Sequence, residues 1–181
     1  KDKDVFINMP KKRLLVVVDM QNDFIDGALG TEEAREIVPK VKARIELAVG
    51  EGETVVYTRD THEENYLNTQ EGKNLPIPHC IRGTRGREIA DGLYREGSPI
   101  FDKNAFGSPA LAEYAEQNAF DSVELIGVCT DICVISNALL LKAFCPEAEI
   151  SVRAGCCAGV TPESHAAALS AMKACQIRVL A

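Results

Sequence analysis

The chain has 181 residues, 46% of them hydrophobic, and a formal net charge of −7. This size predicts one domain over residues 1–181, with residues 1–12 as an N-terminal extension. The acidic charge, without a basic stripe, argues against nucleic acid or a membrane surface as a partner, and no apolar run approaches the roughly 20 residues that span a bilayer. Seven cysteines without disulfide-scaffold spacing, and no signal-peptide pattern, predict a cytoplasmic protein with free thiols.

Predicted strands and helices alternate along the chain. Apolar, β-branched runs predict strands buried on both faces, and Thr31 and Gly50 bound a long helix in which Pro39 predicts a kink or a division in two. The alternation predicts an α/β fold, a three-layer doubly wound and mostly parallel β-sheet with helices on both faces. The expected strands are 13–19, 53–59, 99–102, 122–128, 149–153 and 177–180, and the expected helices are 31–49, 87–94, 109–118, 130–144 and 162–175.

Chemically active side chains follow four of these strands. In open α/β sheets, ligands bind beyond the carboxyl ends of the strands. Asp19 follows the first strand, and Asp60 with His62 follow the second. Lys103 follows the third, and the segment GVCTDICV (127–134) follows the fourth. A long irregular stretch, 60–83, adds to this edge, and such stretches inside compact domains are usually functional.

Cys129 and Cys133 in GVCTDICV could be buried thiols, a redox pair, metal ligands or a nucleophile. Cysteine is among the residues most often buried, so packing is the default. Cys133 would lie in the first turn of the following helix, where free N–H groups favour an anion and depress a thiol pKa. No second cysteine pair completes a four-ligand zinc site. Cys133 is therefore the better candidate nucleophile.

A thiol nucleophile needs a base. Of the three histidines, His165 lies on a late helix and is expected to face solvent. Asp19 is the better candidate, because it closes a buried strand, where desolvation raises a carboxyl pKa towards the useful range. Lys103 would supply a fixed positive charge beside acid and thiol. Ordinary loop or surface roles remain open for both at this point.

Three motifs, DMQNDF at 19–24, DKNAFGS at 102–108 and GVCTDICV at 127–134, resemble those of the isochorismatase-like cysteine hydrolases. They occur in that family's order and cover the chain from about Arg13 onward. The resemblance implies a catalytic triad of Asp19, Lys103 and Cys133. It also implies a cis peptide between Val128 and Cys129, with the backbone N–H groups of Cys129 and Cys133 forming an oxyanion hole.

The loop after the second strand carries candidate metal ligands, with ordinary solvated side chains as the alternative that stays open. Asp60 and His62 lie two residues apart, and His79 returns from the far side of the loop; carboxylate and imidazole suit zinc, iron or manganese. The nicotinamidase branch of the family resembles this stretch and carries a further glutamate, which by position is Glu71. The resemblance implies that a divalent metal, with zinc expected first, binds the pyridine nitrogen of nicotinamide. The expected reaction is hydrolysis to nicotinate and ammonia through a thioester.

Two features depart from the nicotinamidase pattern: position 61 is Thr, and the chain has no Trp. The candidate pocket aromatics are therefore Phe24, Tyr66, Phe101 and Phe106. An isochorismatase-like or ureido-amide hydrolase without a functional metal is the alternative. A third hypothesis is a non-catalytic redox or assembly domain, in which Asp19, Lys103 and Cys133 would lie far apart. The expected partners are a small-molecule amide and further copies of the chain, because family members commonly form homo-oligomers.

Overall fold

The computed structural model describes residues 10–181, and these form six strands and six α-helices. None of the described helices is both long and apolar enough to cross a bilayer. The strands are β1 (Arg13–Val18), β2 (Thr54–Asp60), β3 (Ile100–Lys103), β4 (Ser122–Val128), β5 (Glu149–Ala158) and β6 (Arg178–Leu180); the helices are α1 (Asn22–Ile25), α2 (Glu32–Gly50), α3 (Gln70–Asn74), α4 (Pro109–Asn118), α5 (Ile135–Phe144) and α6 (Pro162–Ala174).

The strands form one parallel sheet in the order β3-β2-β1-β4-β5-β6. Alternate residues of β1 face opposite layers, since side chains of a strand alternate between the two faces of the sheet. Val16 packs in a core with Leu111 of α4, Leu141 of α5 and Met172 of α6, whereas Val17 packs in a second core with α2. The predicted three-layer α/β architecture is confirmed.

Four predicted elements need correction. The helix predicted at 87–94 is wrong, because this segment forms a short 3-10 turn, a bridge from Ile89 to Gln21 and turns. The helix predicted at 130–144 begins instead with a π-helical turn, Thr130–Val134, and β5 extends five residues beyond 153 after a register shift against β4.

Helix α2 is a single helix despite Pro39. The Thr31 side chain caps it by accepting from the N–H of Ala34 at 3.0 Å, as the sequence predicts. Pro39 and Arg35, the residue four before it, are both exposed, so water can bond the carbonyl that the missing N–H leaves free. The prediction that Pro39 could divide this segment into two helices is therefore wrong.

Candidate active site

Three side chains from separate strand ends meet in one buried cluster. The Lys103 ammonium lies 2.7 Å from an Asp19 carboxylate oxygen and 3.4 Å from the Cys133 sulfur. All three residues are nearly inaccessible to solvent, with relative exposures of 5%, 0% and 6% for Lys103, Asp19 and Cys133. The non-catalytic hypothesis required these side chains to lie far apart, and their convergence contradicts it.

Neighbouring strands hold Asp19 in place. Its backbone has φ of 49°, which turns the chain as β1 ends, and its carboxylate accepts a 2.7 Å hydrogen bond from the Thr58 hydroxyl. Gly127 of β4 lies alongside, and a Cβ there would lie 2.1 Å from the carbonyl oxygen of Val18. Only glycine allows this close approach of β4 to β1, which brings the Cys133 turn beside Asp19.

Burial dominates the protonation of this cluster. It raises the pKa of Asp19, against the lowering effect of Lys103, which agrees with the direction predicted from sequence. Burial also raises the pKa of the Cys133 thiol, and the negative charge of Asp19 adds to the increase. The depressed thiol pKa expected from the helix start is therefore wrong for the resting protein. Burial acts to lower the pKa of Lys103, but Asp19 and its neighbours more than offset this, so the lysine stays charged.

The turn that carries Cys133 is held from two sides. The peptide bond from Val128 to Cys129 is cis, as the family resemblance implied. Asn137 donates to the Cys133 carbonyl at 2.8 Å and accepts from the Ser108 N–H at 2.9 Å. Sequence reasoning missed Asn137, although an amide four residues after Cys133 in an otherwise apolar helix was the available signal.

His165 fastens the other side of this turn. Its Nδ1 lies 2.7 Å from the hydroxyl oxygen of Thr130, which is fully buried. The expectation that His165 faces solvent is therefore corrected: the imidazole is partly buried against the loop. Gly159 permits this approach, since a Cβ there would lie 2.9 Å from the His165 backbone and side chain.

The four predicted metal ligands also meet. Donor atoms of Asp60, His62, Glu71 and His79 all lie within 4.8 Å of one another. The nitrogens of His62 and His79 lie 2.9 and 3.4 Å from one Asp60 oxygen, and 3.6 and 3.7 Å from one Glu71 oxygen. Donors about 2.1 Å from a tetrahedral zinc ion are roughly 3.4 Å apart, so these four residues fit a divalent metal.

The charge of this cluster also suits a cation. Burial tends to raise the pKa of Asp60, but hydrogen bonds from both histidines lower it well below the usual value. Burial and the Asp60 charge raise the pKa of Glu71. Burial alone would lower the pKa of His79, but its bonds to Asp60 and to the Ile77 carbonyl raise it. Two carboxylates facing two imidazoles are a donor set that a divalent cation neutralises.

Each histidine ring is oriented by neighbours. The Ile77 carbonyl accepts from Nδ1 of His79 at 2.8 Å, which leaves Nε2 of that ring to face the cluster. Tyr66 packs edge-on against the rings of His62 and His79, with centroids 4.8 and 5.0 Å away. Its hydroxyl donates to the Leu75 carbonyl.

The Asp60 side chain lies between the triad and the metal-ligand cluster. The second oxygen of Asp60 lies 3.5 Å from the Lys103 ammonium, so this carboxylate faces both groups. The arrangement follows from strand order, because β2 lies between β3, which ends in Lys103, and β1, which precedes Asp19. A small molecule above this edge can therefore contact the Cys133 sulfur and the candidate metal ligands at once.

A cavity of about 1340 Å³ opens over both groups. Phe24 and Phe106 line it, as predicted, together with Cys129, Cys133 and the four metal-ligand candidates. The prediction is wrong for Tyr66, which lies behind the histidines. It is also wrong for Phe101, whose ring packs on Tyr114 in the core, 5.3 Å between centroids.

Comparison with known proteins decides the family. The isochorismatase domain model matches residues 13–181. The chain belongs to the isochorismatase family. The sequence-based assignment to isochorismatase-like hydrolases is therefore confirmed.

Relatives with named activities cover nearly the whole chain. A pyrazinamidase of Pyrococcus horikoshii, solved in complex with zinc, is 32% identical with a TM-score of 0.83, over 93% of this chain and 98% of that one. The nicotinamidase/pyrazinamidase of Mycobacterium tuberculosis is 25% identical over 93% of this chain and 98% of its own length. N-carbamoylsarcosine amidase of Thermoplasma acidophilum is 28% identical with a TM-score of 0.78, over 93% and 95% of the two chains.

Proposed function

We propose that this isochorismatase-family amidohydrolase hydrolyses nicotinamide to nicotinate and ammonia, with Cys133 as its nucleophile. The single observation that carries the proposal is the metal-ligand cluster directly beside the triad, joined to it by the 3.5 Å approach of Asp60 to Lys103. A pyridine carboxamide presents a ring nitrogen and a carboxamide carbon on one small, rigid body. The two neighbouring groups suit these two features.

The first half of the reaction transfers the acyl group to sulfur. As the carboxamide carbon meets Cys133, the thiol proton passes to the Asp19 carboxylate and the sulfur attacks. The raised pKa of Cys133 favours the protonated thiol before substrate arrives, and the raised pKa of Asp19 makes this carboxylate a stronger base for the thiol proton. The backbone N–H groups of Cys129 and Cys133 stabilise the developing oxyanion. Asp19 then gives its proton to the departing nitrogen, the C–N bond breaks, and ammonia leaves a thioester on Cys133.

The second half restores the thiol. Asp19, a carboxylate again, takes a proton from a water molecule, which attacks the thioester carbon. Collapse of that adduct breaks the C–S bond, the proton on Asp19 returns to sulfur, and nicotinic acid leaves and gives its remaining proton to solvent to become nicotinate. Throughout, the Lys103 ammonium holds the acid and the sulfur in place through its contacts at 2.7 and 3.4 Å. One buried carboxyl group thus serves as base and acid in turn.

Asp60, His62, Glu71 and His79 would hold the metal, with zinc as our proposal from the donor set. When bound there, the ion supplies a Lewis acid for the substrate ring nitrogen. The relative from Pyrococcus horikoshii, solved with zinc, supports this choice. Phe24 and Phe106 are phenylalanine side chains on the cavity wall, and we expect them to contact the ring.

The test is ammonia release from nicotinamide by purified, reduced protein, compared with Cys133→Ser. We expect turnover by the wild type and none above background by the variant. Turnover that survives in Cys133→Ser would exclude the proposed nucleophile. Absence of turnover by zinc-loaded wild type would exclude nicotinamide as the substrate.

A ureido-amide hydrolase is the second candidate. The similarity to N-carbamoylsarcosine amidase favours it, as does a cavity wide for a single pyridine ring and a chain without Trp. The two candidates differ in their need for metal. Metal analysis of the purified protein, with N-carbamoylsarcosine tested as a substrate beside nicotinamide, separates the two candidates. Turnover of the ureide by protein that contains almost no metal favours the second candidate.

A further inference from the structure

The segment that follows Asp19 also reaches both ends of the metal-binding loop. Gln21 is fully buried, and its side-chain amide bonds Asp60 twice. The amide oxygen accepts from the Asp60 N–H at 2.8 Å, and the amide nitrogen donates to the Asp60 carbonyl at 2.8 Å and to the Arg87 carbonyl at 2.7 Å. Gln21 therefore fixes the backbone of one metal-ligand candidate in both directions.

Asp23 holds the other end of the loop. Its carboxylate accepts a 2.7 Å hydrogen bond from the N–H of Cys80, the residue directly after His79, and a longer one of 3.3 Å from Ala28. Two glycines make room for this carboxylate. A Cβ on Gly86 would lie 2.1 Å from an Asp23 oxygen, and one on Gly27 would lie 2.3 Å from the other.

The Cys80 backbone also bonds the segment that carries His62. Its carbonyl accepts from the His62 N–H at 3.0 Å, and the His62 carbonyl accepts from the Arg82 N–H at 2.8 Å. The segments carrying His62 and His79 are thus paired to each other, and Asp23 anchors the pair. The segment that contains Gln21 and Asp23 begins at Asp19, whose carbonyl accepts a hydrogen bond from the Gln21 N–H at 2.7 Å.

We propose that Gln21 and Asp23 are positioning residues that hold the Asp60 and His79 ends of the metal site at ligand distance, in register with the Asp19–Lys103–Cys133 triad. The inference rests on the proposed metal site. Neither side chain offers an atom to the four-residue donor cluster, so both act through the backbone beside a ligand. Asp60 and Glu71 repel each other before a cation binds, and the bonds from Gln21 keep that repulsion from displacing Asp60.

The test is zinc affinity, measured by competition with a chromophoric chelator, together with the visible spectrum of the cobalt(II)-loaded protein. Asp23→Ala removes the anchor, and we expect affinity to fall roughly 10- to 100-fold, the usual effect of losing a partner that orients a ligand. Asp23→Asn keeps an oxygen for the Cys80 N–H, so it should recover most of that loss. The matched control is Asp26→Ala, on the same turn but exposed, with its carboxylate paired to Arg85.

A double-mutant comparison identifies the route of the effect. In a His79→Ala background, Asp23→Ala should lower zinc affinity by less than in the wild type, because one of the two histidine ligands that it anchors is gone. Equal losses in both backgrounds would overturn the role assigned to Asp23. Gln21→Met should lower affinity in either background, because it acts through Asp60.

The remaining outcomes separate the two levels of the argument. Wild-type protein that binds neither zinc nor cobalt would overturn the metal site and this inference with it. Wild-type protein that binds zinc while Asp23→Ala and Gln21→Met match Asp26→Ala would overturn the inference alone. If Gln21→Met fails to fold, the Asp23 series and its cobalt spectrum decide the outcome.

Discussion

The triad and the metal-ligand cluster are neighbours with different charge balance. In the triad, one carboxylate faces one ammonium at 2.7 Å beside a protonated thiol, so the charges cancel within the protein. In the cluster, Asp60 and Glu71 face two imidazoles, and burial together with the Asp60 charge raises the pKa of Glu71. The first group is balanced by its own charges, and we expect the second to need a bound cation. Changes to the two groups should therefore have different signatures.

The largest effect is expected at the nucleophile. Cys133→Ser should lower kcat/KM by at least about 10³-fold, because a hydroxyl in this site is a far weaker nucleophile than sulfur. Zinc affinity should stay unchanged, since the sulfur is not in the donor cluster. Kinetics and chelator competition on one preparation check both halves. A parallel loss of zinc would show that the two groups are not separable.

Removing the triad's cation should cost both activity and stability. Lys103→Met leaves Asp19 buried without its partner, and breaking a buried ion pair destabilises by about 3–5 kcal/mol. Urea unfolding measures this loss. The double variant with Asp19→Asn should regain part of it while remaining inactive. Equal free energies of unfolding for the single and double variants would contradict the account in which Lys103 balances the charge of Asp19.

Metal should stabilise the cluster and not the triad. Zinc at about 100 times its dissociation constant should raise the free energy of unfolding by about 2.7 kcal/mol. His62→Ala should abolish this stabilisation, whereas Cys133→Ser should retain it. Thermal unfolding with and without zinc tests the pair. Equal stabilisation of His62→Ala and wild type would place the ion elsewhere.

The stabilisation by zinc should grow with pH. The pKa of His79 is raised above its usual 6.5 in the folded protein, so its protonation stabilises the metal-free form below about pH 6.5. That contribution is lost as pH rises through the folded pKa. Zinc needs the neutral imidazole, so each proton displaced changes its apparent affinity by about tenfold per pH unit. Zinc titrations between about pH 6 and 8 should show this rise, and a flat profile would contradict the assigned ligand.

The smallest effect is expected from the contact that supports the Cys133 turn. His165→Ala removes the bond to Thr130, worth about 1 kcal/mol or roughly fivefold in rate. The loss should appear in kcat with little change in KM, because the turn carries the proposed oxyanion donors. Thr130→Val should match it, and the double variant should be no worse than either. Additive losses would show that the two residues act separately.

The sequence predicted the groups that strand ends bring together. Asp19, Lys103 and Cys133 could be grouped because parallel strands end at one edge, and the motifs added their roles. The sheet was predictable for the same reason, since buried β-branched runs such as Arg13–Val18 have one common environment. Asp60, His62 and His79 were candidates from the loop alone, whereas Glu71 needed the resemblance, because a short D-x-H spacing does not specify a fourth ligand.

Features that depend on long-range packing could not be predicted from the sequence. Phe101 and Tyr66 were misplaced because sequence does not state which side of a loop or strand an aromatic ring faces. The direction of the Cys133 pKa was wrong because burial outweighs the effect of the helix start. His165 and Asn137 act through contacts with the turn that only the folded chain forms. These errors lie around the site, where local propensity and tertiary contacts differ most.

The most direct test of the central claim is the rate of ammonia release from nicotinamide by protein stripped of metal with a strong chelator and then reloaded with zinc. The account predicts turnover in the loaded protein, loss on stripping and recovery on reloading, with Cys133 remaining reduced throughout. Full turnover by protein shown to be free of metal would contradict the claim that the triad acts on a substrate that the metal site holds.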